Sequence, residues 1–94
     1  MNTVEAKSLL ENELSRYRKQ SYAELLSLLD QPQTFERVSA SGSIYQIEIE
    51  VFFDDDSERD TLRVSGAIDD GGLRALSPLC DDFLIARDGS FVGE

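Results

Sequence analysis

The stretch Ile44-Tyr45-Gln46-Ile47-Glu48-Ile49-Glu50-Val51-Phe52-Phe53 decides the fold. Tyr45, Ile47, Ile49, Val51 and Phe53 alternate with Gln46, Glu48, Glu50 and Phe52. Successive side chains of a strand point to opposite faces, so this spacing predicts a strand with one buried and one polar face. Ten such residues reach roughly 33 Å. Leu62, Val64, Gly66 and Ile68 repeat the alternation against Arg63, Ser65 and Ala67, predicting a second strand over 61–68. Phe35 and Val38 suggest a shorter strand ahead of a turn at Ser41-Gly42-Ser43.

Downstream, Asp70-Gly71 and Asp88-Gly89 are hairpin dipeptides, because Asp and Gly tolerate positive φ. The first is expected to join 61–68 to a strand near 73–77, the second to join 83–86 to 91–92. Pro78 lacks the N–H that a ladder needs and marks a strand end or an edge.

Upstream, the period changes to that of a helix. Ala6, Leu9, Leu10, Leu14 and Tyr17 form one apolar stripe, and Lys7, Glu11, Glu13 and Arg16 fall largely off it. Asn2 followed by Glu5 reads as a capping box with Asn in place of Ser or Thr. Arg16, Arg18 and Lys19 suit the negative end of the helix dipole. A helix over 3–19 follows. Ser21-Tyr22-Ala23-Glu24 is a second capping box, opening a short helix over 22–29 that Pro32 stops. One unbroken helix through residue 29 is the alternative.

The expectation is an α+β domain. An N-terminal helix and a short second helix, together covering residues 2–30, pack on a four- to five-stranded antiparallel meander sheet over residues 34–94. In general architecture this resembles the cystatin-like arrangement, an analogy that carries no function. The 94 residues fit a single domain, 1–94.

The charge is uneven. Of a formal net charge of -10, residues 1–30 contribute -1 and residues 31–94 contribute -9. Such a surface repels nucleic-acid phosphate and anionic membrane, which argues against both as partners. No run approaches the ~20 apolar residues of a membrane span, and the first residues lack the basic flank and apolar stretch of a signal peptide. The single cysteine, Cys80, has no partner for a disulfide within the chain, which fits a reducing, cytoplasmic setting.

The same composition narrows the chemistry. With no histidine, Ser-His and Cys-His nucleophiles have no base, and zinc lacks its usual donors. Asp81 and Asp82 beside Cys80 should raise its thiol pKa and dull its reactivity. Paired carboxylates for glycoside hydrolysis have no tryptophan platform beside them. Gly71-Gly72 is a lone pair in a turn, not a phosphate loop. No cofactor is implied.

Clustered carboxylates remain. Asp54, Asp56, Glu58 and Asp60 alternate as in a calcium loop, but Arg59 stands where that loop needs glycine and Ser65 where it needs glutamate. No firm metal ligands emerge. In a meander, the 54–60 loop and Asp81-Asp82 are expected at one end of the sheet and Asp69-Asp70 at the other. The candidate acidic patch is therefore Asp54, Asp55, Asp56, Glu58, Asp81 and Asp82. The candidate sheet-face contacts are Gln46, Glu48, Glu50 and Arg63, with Arg63 expected to lie across from the glutamates and neutralise part of the row.

The C-terminal Asp81-Asp82-Phe83, Asp88-Gly89-Ser90-Phe91-Val92-Gly93-Glu94, together with Ile68-Asp69-Asp70-Gly71-Gly72 and Tyr45-Gln46-Ile47-Glu48-Ile49, resembles a group of short bacterial proteins of unknown function. The likeness covers roughly residues 20–94. It implies a bacterial single-domain protein and supplies no activity. The leading expectation is a non-enzymatic module that binds a basic protein, with a homodimer compatible. A divalent-cation-dependent enzyme on the aspartate loops, or a binder of a small apolar ligand between helix and sheet, are the alternatives.

Overall fold

The computed structural model describes residues 2–72 and 78–94. Helix α1 spans Thr3–Arg18 and helix α2 spans Tyr22–Leu26. Five strands follow: β1 Gln33–Val38, β2 Ile44–Phe53, β3 Leu62–Asp69, β4 Leu79–Ile85 and β5 Phe91–Val92. They form one antiparallel sheet in sequence order. This is the expected α+β arrangement, an N-terminal helix and a short second one packed on an open meander sheet. The strand expected near 73–77 lies outside the described residues.

The helix ends follow their capping chemistry. Asn2 Oδ1 accepts from the Glu5 N–H at 3.1 Å. The return half of that box does not form, because the Glu5 carboxylate has better donors. It accepts from Ser41 Oγ at 2.8 Å and Tyr45 Oη at 2.9 Å, fastening the start of α1 to the β1–β2 hairpin. At α2 both halves are present: the Glu24 N–H donates to Ser21 Oγ and the Ser21 N–H to Glu24 Oε1. The two helices are therefore separate. α2 stops three residues short of the expected 29 because the Leu28 and Leu29 N–H groups bond three residues back, to Leu25 and Leu26. Asp30 then turns the chain with φ 58.

β4 begins at Leu79 instead of the expected 83. Cys80, Asp81 and Asp82 break the apolar alternation, yet their backbones continue the ladder opposite Ala67, Gly66 and Ser65 of β3. β5 closes the sheet as expected, with Leu84 opposite Val92 and Ile85 opposite Phe91. The Asp88-Gly89 turn between them has Gly89 at φ +87.

α1 lies over β3 and β4. Its Ala6, Leu10, Leu14 and Tyr17, with Leu25 of α2, meet the inward residues of the sheet: Tyr45, Ile47, Ile49, Val51, Leu62, Val64, Ile68, Phe83 and Ile85. Gly66 sits under the helix. A Cβ there would lie 2.8 Å from Leu10 Cδ1, 3.1 Å from Ile49 Cδ1 and 3.3 Å from Leu14 Cδ2. The missing side chain sets how closely helix and sheet approach.

Two ion pairs join this packing. Glu13, expected off the stripe, is only 5 % exposed. It stands three residues after Leu10 and four before Tyr17, so the helical period turns it inward. Arg37 of β1 satisfies it, with Nε donating to Glu13 Oε1 at 2.5 Å. Arg18 ends α1 with its guanidinium 4.7 Å from the Phe83 ring centroid and 4.8 Å from that of Phe91, donating to Glu94 at 2.7 Å. Among the described residues, no helix is long and apolar enough to cross a membrane.

Candidate functional site: the open sheet face

Burying Tyr45, Ile47, Ile49 and Val51 under the helices forces the even-numbered residues of β2 onto the opposite face. No helix among the described residues covers that face. The register sets its rows: Glu36 beside Gln46 and Asp69, Thr34 beside Glu48 and Ala67, Glu50 beside Ser65, and Phe52 beside Arg63. Glu48 and Glu50 thus stand in the middle of the sheet with small neutral neighbours. Among the described residues, no lysine or arginine forms an ion pair with Glu36, Glu48 or Glu50. A hydrogen bond with the Glu48 carboxyl, aided by partial burial, holds the Glu50 carboxyl above its ordinary pKa. The short side chain of Ala67 leaves a shallow hollow of about 370 Å³ there, lined by Thr34, Gln46, Glu48, Ala67, Asp69 and Pro78 among others.

Arg63 does not neutralise this row. It shares the face but lies opposite Phe52, one row beyond Glu50. From there it reaches Asp54, with Nε at 3.0 Å and Nη2 at 2.6 Å, and Asp82 through Nη1. Those two carboxylates raise the guanidinium pKa through their hydrogen bonds. The expected nearness of the Asp54 and Asp82 runs therefore has a cation at its centre.

The rest of the candidate acidic patch does not gather into one surface. Asp81 and Asp82 are successive residues inside β4, so they face opposite sides of the sheet. Asp81 lies opposite Gly66 on the helix side, near Arg18. Asp55 folds back on its own loop, accepting from the Ser57 N–H and hydroxyl, which lowers its pKa. Asp56 is 3.7 Å from Arg59, and Asp60 is 2.8 Å from Arg87. Glu58 is exposed in the same loop. At the far end, Asp69 and Asp70 accept from the Gly71 and Gly72 N–H groups, two residues ahead of each.

Among the described residues, no group of three or more Asp, Glu or Cys side chains is placed to hold a metal ion. Cys80 is exposed, and its thiol donates to the Pro78 carbonyl at 3.5 Å. Between helix and sheet, Leu10, Leu25, Ile49, Leu62, Val64 and Ile68 are each at most 1 % exposed. A groove of about 450 Å³ between the α1–α2 corner and the β4–β5 hairpin opens to solvent. No family model, curated protein or solved structure matches the chain.

The Glu13–Arg37 and Glu5–Ser41–Tyr45 links were not foreseen. Each joins residues distant in sequence. The only local signal was Glu13 standing at a helical spacing from Leu10 and Tyr17.

Proposed function

We propose that this chain is a non-enzymatic binding module whose open sheet face docks a basic protein segment, with Glu48 and Glu50 at the centre and Glu36 and Gln46 beside them. The observation that carries this reading is the uncovered face itself, where three glutamates stand without a described cationic partner and two of them crowd each other. An incoming lysine or arginine would replace Glu48–Glu50 repulsion with attraction and draw Glu50 into its ionised form. Apolar side chains flank the acidic centre: Val38 and Ile44 at one end, 67 % and 54 % exposed, and Phe52 at the other. A charged centre with apolar contacts at its ends suits an extended or helical segment that is basic in the middle. A bacterial cytoplasm is the setting we propose with it, where the lone exposed Cys80 stays a thiol.

The test is affinity capture at low and at raised salt with the wild-type chain and with the Glu48→Lys/Glu50→Lys variant. A basic protein retained by the wild type, released by salt and ignored by the variant is the expected result. A partner held equally by both chains, or one indifferent to salt, refutes the acidic-face reading.

A further inference from the structure

We propose that two copies of this chain pair antiparallel through β1, centred on Phe35, so that two five-stranded sheets become one continuous sheet. β1 is an edge strand, and among the described residues it pairs only with β2. The hairpin fixes where its remaining backbone groups point. The Ser39 N–H donates to the Ser43 carbonyl at 2.9 Å. In an antiparallel ladder the hydrogen-bonded positions alternate, so Arg37, Phe35 and Gln33 spend their N–H and C=O groups on β2. Thr34, Glu36 and Val38 therefore turn theirs outward.

Natural edges are usually guarded by lysines, prolines, bulges or an inward charge. β1 has no lysine or proline, and its register with β2 runs unbroken from Gln33–Ile49 to Val38–Ile44. Its inward charge, Arg37, is bound to Glu13 and lies 4.9 Å from the Phe35 ring. It is held against its own subunit and does not guard the edge. The opposite edge, β5, has only two residues.

Self-pairing has a preferred register. With both helical layers on one side, inward residues must oppose inward residues. Pairing about Glu36 would set Glu36 against Glu36 of the partner subunit, a like-charge clash. Pairing about Phe35 avoids it. Phe35 then meets Phe35 of the partner subunit at a non-hydrogen-bonded site, where side chains come closest. Thr34 and Glu36, whose backbone groups point outward, exchange the flanking hydrogen bonds with Glu36 of the partner subunit and Thr34 of the partner subunit.

Each copy carries a net charge of -10, so long-range repulsion opposes association and added salt strengthens it. Docking of a basic partner has the reverse salt dependence, which separates the fate of this proposal from that of the acidic face. The test is analytical ultracentrifugation of the full chain over a wide concentration range at two salt levels. The expected mass rises from 10.5 kDa toward twice that value, more readily at high salt. Glu36→Pro removes an outward N–H while sparing the β1–β2 ladder, and it should abolish the dimer. It also removes a negative charge, so relief of repulsion cannot explain the loss. Amide hydrogen exchange on the wild-type chain supplies a second readout that needs no variant. Thr34 and Glu36 should be protected at high concentration and exchange freely on dilution. A mass of 10.5 kDa under every condition, a dimer that survives Glu36→Pro, or exchange at these amides that ignores concentration would each overturn the proposal.

Discussion

Gly66 and Glu13 show how single residues set the distance and angle between helix and sheet. A methyl group at position 66 would stand 2.8 Å from Leu10 Cδ1, and Leu10 is itself buried, so it has little room to yield. Gly66→Ala should therefore cost about 1–3 kcal/mol by overpacking, measured by urea unfolding. A cost under ~0.5 kcal/mol would mean that α1 rides higher over β3. Glu13 and Arg37 form one unit, with side-chain exposures of 6 % and 33 %. Removing either alone strands a charge that the other had satisfied. A Glu13→Leu, Arg37→Met cycle should give a coupling of about 1–2 kcal/mol, the double variant being less damaged than the singles sum to. Strict additivity would contradict the pairing. In the sequence, Glu13 stands at a helical spacing from Leu10 and Tyr17, but its charge argued for solvent. Nothing local pointed to Arg37, which lies on a strand after the helices. Gly66 was read as one step of an alternation, while its role against Leu10 needed both layers in view.

Among the elements, β2 was the most legible because its alternation runs uninterrupted, and its observed bounds are those expected, Ile44–Phe53. Ile49 is 0 % exposed at its centre. Ile49→Ala should cost about 2–5 kcal/mol in chemical denaturation, and a value near zero would place that side chain on the wrong face. β4 was legible only in its second half. Asp81 stands on the helix side opposite Gly66 and stays exposed, a pairing the sequence does not display. α2 was correct at its capped start and too long at its end, since Ser21 and Glu24 mark a beginning, whereas the tightened turn at Leu28 and Leu29 carries no residue signature. Of the candidate site, the outward row Gln46, Glu48 and Glu50 followed directly from the period of β2. The position of Arg63 did not, because its row depends on the β2–β3 register.

At the scale of the molecule, the acidic character divides into roles that pH separates. Hydrogen bonds from Ser41, Ser39 and Tyr45 lower the Glu5 pKa, those from Ser57 lower Asp55, those from Ser90 lower Asp88, and that from Arg18 lowers Glu94. A carboxyl with a lowered folded pKa stabilises above its unfolded value, and that stability is lost as pH falls through the folded value. Glu50 runs the other way: its folded pKa is raised, so its ionisation disfavours the fold as pH rises. Thermal melts should show stability falling below about pH 4, where the ordinary carboxyl range lies. Glu50→Gln should raise the melting temperature at neutral pH and lose that advantage in acid. A gain that persists unchanged in acid would mean that repulsion from Glu48 is not its source. The aspartate-rich loops, conspicuous in the sequence, are largely engaged with Arg63, Arg59, Arg87 and their own turns. The quieter glutamates of β2 are the ones left facing outward.

Whether the open face is the docking surface is decided by an NMR titration of the full chain with a lysine- and arginine-rich peptide. Salt-sensitive shifts should concentrate at Gln46, Glu48, Glu50, Ser65 and Ala67, with the amides of α1 unmoved. Shifts confined to the 54–60 loop or to α1, or no shifts at all, would contradict the acidic-face docking.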